Sequence, residues 1–395
     1  MMEIKSLKEI ASLIRTGKTP PTKEEKYFNG EINWYSPGDL DKTKYLFTAK
    51  RTITQQAIED KKAITFPKDT LLVGCIGDIG KLGITSELSS SNQQLTGILP
   101  NDETNVSYLY YWFKGNKKVL ENYSNNAVVP ILNNRTLETV KIPLPPLDQQ
   151  KKIASILDSA DAYRQKTKAL IEKYDELTQS LFLDMFGDPV SNPKGWEVNF
   201  LKQITTKIGS GATPRGGKQA YKKEGISLIR SMNVYDNRFK YKNLAFIDEV
   251  QAAKLKNVIV EKGDVLFNIT GASICRSSVV PDDVLPARVN QHVSILRPIQ
   301  SIITSKFLSR FLISENVKTK LLGVGSGGGA VMEAITKEQL QSIEVIKPPL
   351  ELQNEFSKRV QAIEAQKAQV QASLAQAEDL FNSLLQRAFK GELTN

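Results

Sequence analysis

Histidine and cysteine are almost missing from this chain. One histidine, His292, and two cysteines, Cys75 and Cys275, stand in 395 residues. Neither a disulfide framework nor a clustered Cys/His zinc site can be assembled from them. Both cysteines read as buried apolar residues, and a Ser/His or Cys/His nucleophile would have to rest on His292 alone. Long apolar runs are missing as well. The stretch from Leu71 to Gly77 is far short of the ~20 residues that span a bilayer, and the start Met1-Met2-Glu3-Ile4-Lys5 lacks the apolar segment of a signal peptide. A cytoplasmic location is the expectation.

Catalytic signatures are equally sparse. The run Gly323-Val324-Gly325-Ser326-Gly327-Gly328-Gly329 is not followed by Gly-Lys-Ser/Thr, and no phosphate-cradling frame fits at Gly216-Gly217-Lys218. The glycine run reads as a loop that orders on a ligand, or as plain disorder. Asp264, Asp282 and Asp283 lack the closely spaced Glu-x-Lys of the commonest metal-dependent nucleases. Both Pro-Pro steps lead to Leu, outside the Asn/Asp-Pro-Pro-Tyr/Phe stretch of adenine methyltransferases.

What the chain does have is positive charge and repetition. The net charge is +10, which suits a polyanionic partner. Basic residues outnumber acidic ones by 19 to 16 in 1–147 and by 23 to 14 in 188–350, whereas 148–187 and 351–395 are close to neutral. Leu7-Lys8-Glu9-Ile10, Gly17, Thr19-Pro20 and Tyr27 recur 194 positions later as Leu201-Lys202-Gln203-Ile204, Gly211, Thr213-Pro214 and Tyr221. Lys68-Asp69-Thr70-Leu71-Leu72 is answered by Lys262-Gly263-Asp264-Val265-Leu266. After small insertions Asn92-Gln93 finds Asn290-Gln291, and Pro145-Pro146-Leu147 finds Pro348-Pro349-Leu350. The chain reads as a tandem duplication of a large basic part followed by a helix.

Within each basic part, short β-branched runs alternate with Gly, Asn and Pro turns. The expected fold is α/β in the mixed α+β sense, rich in loops. Beyond each Pro-Pro step the period changes. Ile153, Ile156, Ala160, Tyr163, Thr167, Leu170, Tyr174, Leu177 and Leu181 follow alternating steps of three and four, the seam of a coiled coil. A weaker seam in 352–389 includes Ile363, Val370, Ala377, Leu380 and Leu384. Two such helices are expected to pack on each other, antiparallel, with the basic parts at opposite ends. The expected division is therefore 1–147, a helical region 148–187, a second basic part 188–350, and a second helical region 351–395.

Several of these residues are familiar as a set. Pro143-Leu144-Pro145-Pro146-Leu147-Asp148-Gln149-Gln150 leading into Ile153-Ala154-Ser155-Ile156-Leu157-Asp158 resembles the start of the first conserved helix of type I restriction–modification specificity subunits. Leu183-Asp184-Met185-Phe186-Gly187-Asp188-Pro189 with Asn192-Pro193-Lys194-Gly195-Trp196 looks like their join into a second target-recognition domain. Ser383-Leu384-Leu385-Gln386-Arg387-Ala388-Phe389-Lys390-Gly391-Glu392-Leu393 is similar to their C-terminus. The resemblance runs the length of the chain. It implies two target-recognition domains, a bipartite asymmetric target on double-stranded DNA, and two methyltransferase subunits as partners, with two motor–nuclease subunits in restriction-competent complexes. It also implies no catalysis by this chain, with S-adenosylmethionine, ATP and Mg belonging to the partners.

Reading a duplex requires cations for phosphates and amides, hydroxyls or guanidinium groups for base edges. Ser210, Thr213, Arg215 and Lys218 lie on one such loop, and Lys18, Thr19 and Lys23 on its counterpart. Arg230, Asn233, Arg276, Asn290, Gln291 and His292 follow strand-like runs in the second half, as Ser91, Asn92 and Gln93 do in the first. Asn133, Asn134 and Arg135 precede the first helix. The bland alternatives are solvated turns for the loop residues and backbone caps for the Asn-Gln pairs. His292, without a partner histidine, reads as hydrogen-bonded or DNA-facing rather than as a metal ligand.

Overall fold

The computed structural model describes residues 3–124, 129–214, 216–325 and 334–393. It divides into two compact units, Met1–Ala169 with Gln371–Asn395, and Leu170–Val370. Among the described residues no helix is long and apolar enough to cross a membrane.

Each unit is sheet-rich, and four strands of its main sheet repeat the order of the other's. In the first, Ala11–Thr16, Leu95–Pro100, Leu71–Gly74 and Leu82–Thr85 are neighbours in one sheet, with Tyr45–Leu46 at its end. In the second, Thr205–Ser210, Val293–Pro298, Val265–Asn268 and Ser277–Val279 stand in the same order. The register is conserved as well. Gly97 pairs with Arg15 and Ile295 with Gly209, and both pairings break at a bulge beside the terminal proline, at Pro100 opposite Ala11 and Pro298 opposite Thr205. Proline donates no ladder hydrogen bond, so a strand ends or bulges there.

The cores follow the same plan. Leu71, Val73, Ile84 and Ile98 pack against the helix Val106–Gly115, which brings Tyr108, Leu109, Tyr111, Trp112 and Phe113. Val265, Phe267 and Leu296 pack against the helix Ser305–Ile313 through Phe307 and Phe311. Burial pushes the Cys75 and Cys275 thiols up to about 11, so both stay protonated near neutral pH.

Two long helices, Leu147–Phe186 and Leu350–Lys390, each begin at a Pro-Pro step, where the fixed backbone angle of proline suits the first turn. A wholly buried glutamine sits in that first turn of both. Gln150 donates to the carbonyls of Pro145 and Glu103 at 2.8 and 2.9 Å and accepts from the Asn105 amide at 2.8 Å. Gln353 makes the same three bonds with Pro348, Ile302 and Thr304. A buried amide left unpaired costs ~1–3 kcal/mol, so these bonds fix each helix start on its own unit.

The helices run antiparallel within each unit. In the first, Arg164 lies over the Phe381 ring at 4.5 Å and Lys168 meets Glu378 at 3.1 Å. In the second, Lys367 meets Asp175 at 2.5 Å, and Phe182 and Phe186 pack on Phe356 with centroids 5.7 and 5.3 Å apart. The buried positions differ from the expected seam. Ile153 is buried, Ile156, Tyr174, Leu181, Ile363, Val370 and Leu384 are half-buried, but Tyr163, Leu170, Leu177 and Leu380 are 55, 41, 48 and 54% exposed. The buried side chains on the first helix are instead Gln150, Ile153, Ala154, Leu157, Thr167, Thr178, Phe182, Met185 and Phe186. An ideal helix drifts ~20° per heptad relative to a strict seven-residue repeat, so the 3.5-residue pattern walks off the buried face while the packing keeps the helical period.

Candidate nucleic-acid interface

The two halves place a similar device at the end of their main sheets, alike in its glycine and its threonine–glutamine bond. In the first unit the strand Ala11–Thr16 runs into Gly17, whose amide donates to the Leu95 carbonyl at 2.9 Å, and the Lys18 amide donates to Ser91 at 2.9 Å. The Thr19 hydroxyl donates to Oε1 of Gln93. In the second unit the Gly211 amide donates to the Asn290 carbonyl at 3.1 Å, and the Thr213 hydroxyl donates to Oε1 of Gln291. Gly17 and Gly211 are required by space: a Cβ on either would overlap main-chain oxygens, of Ser91 and Asn92 in one case and Val289 in the other.

This geometry sorts the candidate residues. Gln93 and Gln291 are exposed, each latched through its Oε1, and the Nε2 of Gln291 also meets the His292 ring at 3.2 Å. Asn92 and Asn290 are turned inward. Their Oδ1 atoms accept from the Gln94 and His292 amides at 3.0 and 3.1 Å, so they hold the turn that carries the glutamine. Ser91 is buried and bonds the Asn92 carbonyl. These three are buried and bonded to their own turn, the arrangement expected of backbone caps.

Around the first latch, Asn134 accepts from the Thr16 and Thr96 hydroxyls at 3.0 and 3.1 Å, bringing the short helix Asn134–Glu138 and its exposed Arg135 to the same place. Asn133 caps that helix by accepting from the Thr136 amide at 2.9 Å. Lys18 is exposed and donates to the Lys61 carbonyl at 2.6 Å. Lys23 is exposed in the turn closed by Glu24 on Pro21.

Around the second latch, Ser210 is exposed. Arg215 lies outside the described residues, as do Ser326 to Gly329 of the glycine run; Lys218 stands in the turn Gly217–Ala220, its side chain undescribed. His292 is hydrogen-bonded through both ring nitrogens, to Thr270 at 2.6 Å and to Gln291 at 3.2 Å. Among the described residues no three His, Cys, Asp or Glu side chains are grouped to hold a metal.

A second group forms where the Asn290 amide donates to Ile229. Arg230 follows that strand, lies over the Tyr221 ring at 5.2 Å and donates to the Asn243 carbonyl. Asn233, fully buried, accepts from the Arg230 amide and donates to the Lys240 carbonyl at 2.8 Å, so it is a clasp rather than a contact residue. Arg276 lies over the ring of Tyr235, and so do Arg238 and Lys240. The sequence reading does not single out these last three, although the alternation Arg238-Phe239-Lys240-Tyr241-Lys242 carries the signal of basic residues interleaved with aromatics.

The family model described as "Type I restriction modification DNA specificity domain" matches this chain twice, over residues 1–174 and 193–378. The chain belongs to that family. The "Type I restriction enzyme MjaIX specificity subunit" of Methanocaldococcus jannaschii is 26% identical, covering 99% of this chain and 93% of the relative. The EcoBI specificity subunit of Escherichia coli is 28% identical over 83% of this chain and 74% of its own length. Two solved structures share the fold. One, from work on complex assembly and conformational transition of the type I R-M system, has a TM-score of 0.61 at 18% identity, covering 99% of this chain and 98% of its own. The S subunit from M. genitalium has a TM-score of 0.58 at 15% identity, covering 98% of this chain and 96% of its own. As a member of that family, this chain is a DNA-recognition protein rather than an enzyme.

Proposed function

We propose that the chain reads a bipartite, asymmetric sequence on double-stranded DNA in the cytoplasm, one half-site through 1–147 and the other through 188–350. The helical regions 148–187 and 351–395 dock two methyltransferase subunits, and two motor–nuclease subunits join them in a restricting complex. The observation that carries this reading is the latch present in both halves, which holds an exposed glutamine amide, Gln93 or Gln291, on a turn braced by buried asparagine. Glutamine pairs with adenine in the major groove through two hydrogen bonds. The exposed Lys18, Lys23 and Arg135 supply phosphate contacts beside the first latch, and Arg215 and Lys218 are the candidates for the same role in the second half. The partners carry the S-adenosylmethionine, ATP and Mg chemistry.

The test is an exchange of residues 1–147 for the equivalent part of a relative, followed by sequencing of methylated motifs in a host that expresses the partners. One half of the motif changes and the other stays. A motif changed in both halves, or in neither, refutes separate readers.

A further inference from the structure

We propose that Tyr235, Arg238, Lys240 and Arg276 form a clamp for DNA backbone phosphates, an inference that rests on the DNA-reading function above. The hairpin Val234–Tyr235 with Arg238–Phe239 registers Tyr235 directly opposite Arg238. Its turn is closed by Asn237 at φ +50°, a left-handed conformation that asparagine tolerates. The Asn237 amide donates to the Ser277 carbonyl at 2.8 Å, which pins the hairpin beside Arg276. At the hairpin base the Lys240 amide donates to Asn233 at 2.7 Å while the Asn233 side chain returns a bond to Lys240. Arg276 is aimed by Cys275, buried and held at φ +64°. Two pieces of backbone, the hairpin arm that carries Arg238 and Lys240 and the turn that carries Arg276, thus deliver three cations to one ring, at 5.2, 5.2 and 4.4 Å from its centroid.

The ring face attracts each cation but leaves their mutual repulsion in place. Among the described residues neither the Arg238 nor the Arg276 guanidinium is paired with a carboxylate, and the one side-chain partner of Arg276 is the Tyr235 hydroxyl itself. Asp236, in the hairpin turn itself, pairs with Lys318 instead. The local field is positive enough that the Lys240 hydrogen bond and charge, with Arg276 beside it, pull the Tyr235 phenol below its usual range. Guanidinium forks with free donors match phosphate oxygens. A bound phosphate would supply the missing anion and release condensed counterions. Convergent charge with no amide acceptor among it suits the uniform backbone rather than a base edge.

The test uses the full-length chain and fluorescence anisotropy with a mixed-sequence duplex and with a duplex carrying the methylation motif, each over a series of salt concentrations. For Arg238→Gln with Arg276→Gln, the slope of log affinity against log salt becomes shallower by roughly one per cation removed. Affinity falls by the same factor on both duplexes, and Arg276→Lys, which keeps the charge, retains most of the slope. An unchanged melting temperature certifies the fold. If the double variant melts early, Arg238→Gln alone, at an exposed strand end, carries the test with a slope change of about one. An unchanged slope in a chain that binds DNA overturns the clamp and leaves the reader intact. A loss confined to the motif duplex makes these residues base readers and overturns the phosphate assignment. A wild-type chain that binds polyglutamate and neither duplex overturns the DNA-reading function and the clamp with it.

Discussion

The Arg297 guanidinium grips the fully buried carboxylate of Asp264 with two hydrogen bonds, Nε to Oδ1 at 2.8 Å and Nη2 to Oδ2 at 2.9 Å. In the first half the corresponding positions are Thr70 and Leu99. The difference follows from the neighbour three residues back. Glu261 has an amide, which donates to Asp264 at 2.7 Å, whereas Pro67 has none, and its carbonyl instead accepts from the Thr70 hydroxyl at 2.8 Å. The acid then requires its arginine, and the threonine does not. Arg297→Leu should cost ~3–5 kcal/mol by stranding a buried charge, and adding Asp264→Thr should return a good part of it. Urea unfolding of both variants checks this; a double variant no more stable than the single one contradicts it.

The latch glycines give a second prediction. Gly211→Ala and Gly17→Ala each push a methyl group into main-chain oxygens that cannot swing aside, at ~1–3 kcal/mol each. Gly209→Ala, two residues earlier in the strand that leads into Gly211 and with nothing within 4 Å of the new Cβ, is the control. It should stay within ~0.5 kcal/mol of the parent. Equal melting temperatures for Gly209→Ala and Gly211→Ala would show that the close approach carries no energy.

Gln93→Ala and Gln291→Ala address reading itself. Both side chains are exposed, so the fold should be unaffected, while discrimination at one base pair of one half-site should weaken by ~1–3 kcal/mol. Methylome sequencing reads the outcome as a motif relaxed at one position, in a different half for each variant. Relaxation in the same half for both would contradict the assignment of one reader to each repeat.

Leu170 and Leu177, one heptad apart and exposed on the first long helix, predict a partner phenotype. Leu170→Ala with Leu177→Ala should leave the chain's own melting temperature nearly unchanged but weaken co-purification with the methyltransferase subunit. Undiminished complex in size-exclusion chromatography would remove this face from the docking surface.

Acid should find a specific weak point in the first unit. The Tyr27 hydroxyl, donating to Asp60 at 2.9 Å, and Gln56, donating at 2.7 Å, hold the Asp60 carboxyl below its usual range. A depressed folded pKa stabilises fully above the unfolded value of about 3.9 and is lost as pH falls through the folded value. The stability gap between the parent and Tyr27→Phe should therefore be wide near neutrality and narrow below about pH 4. A gap independent of pH would contradict it.

Periodicity and recurrence are local properties, and they made the duplication, the helices and the family legible. Gly17 and Gly211, Thr19 and Thr213, Gln93 and Gln291 already stand out as repeated pairs, because selection for one device leaves the same residues at one spacing. What spacing could not say is which way a side chain turns. Asn92, Asn233 and Asn290 suit a base edge or a backbone cap equally by type, and only the fold shows each bonded to its own turn. Leu170 and Leu177 fit a seam and face outward, because a strict heptad drifts around a straight helix.

The sequence by itself determined the two repeats, the two helices that follow them and the class of protein, since hydrophobic period and turn chemistry act between residues close in the chain. Only the tertiary structure decided that Tyr235 gathers Arg238, Lys240 and Arg276. The hairpin brings Arg238 and Lys240 locally, but Arg276 arrives beside a backbone hydrogen bond from Asn237 to Ser277, forty residues apart in sequence, and no local pattern encodes the partner of a hydrogen bond made across a fold.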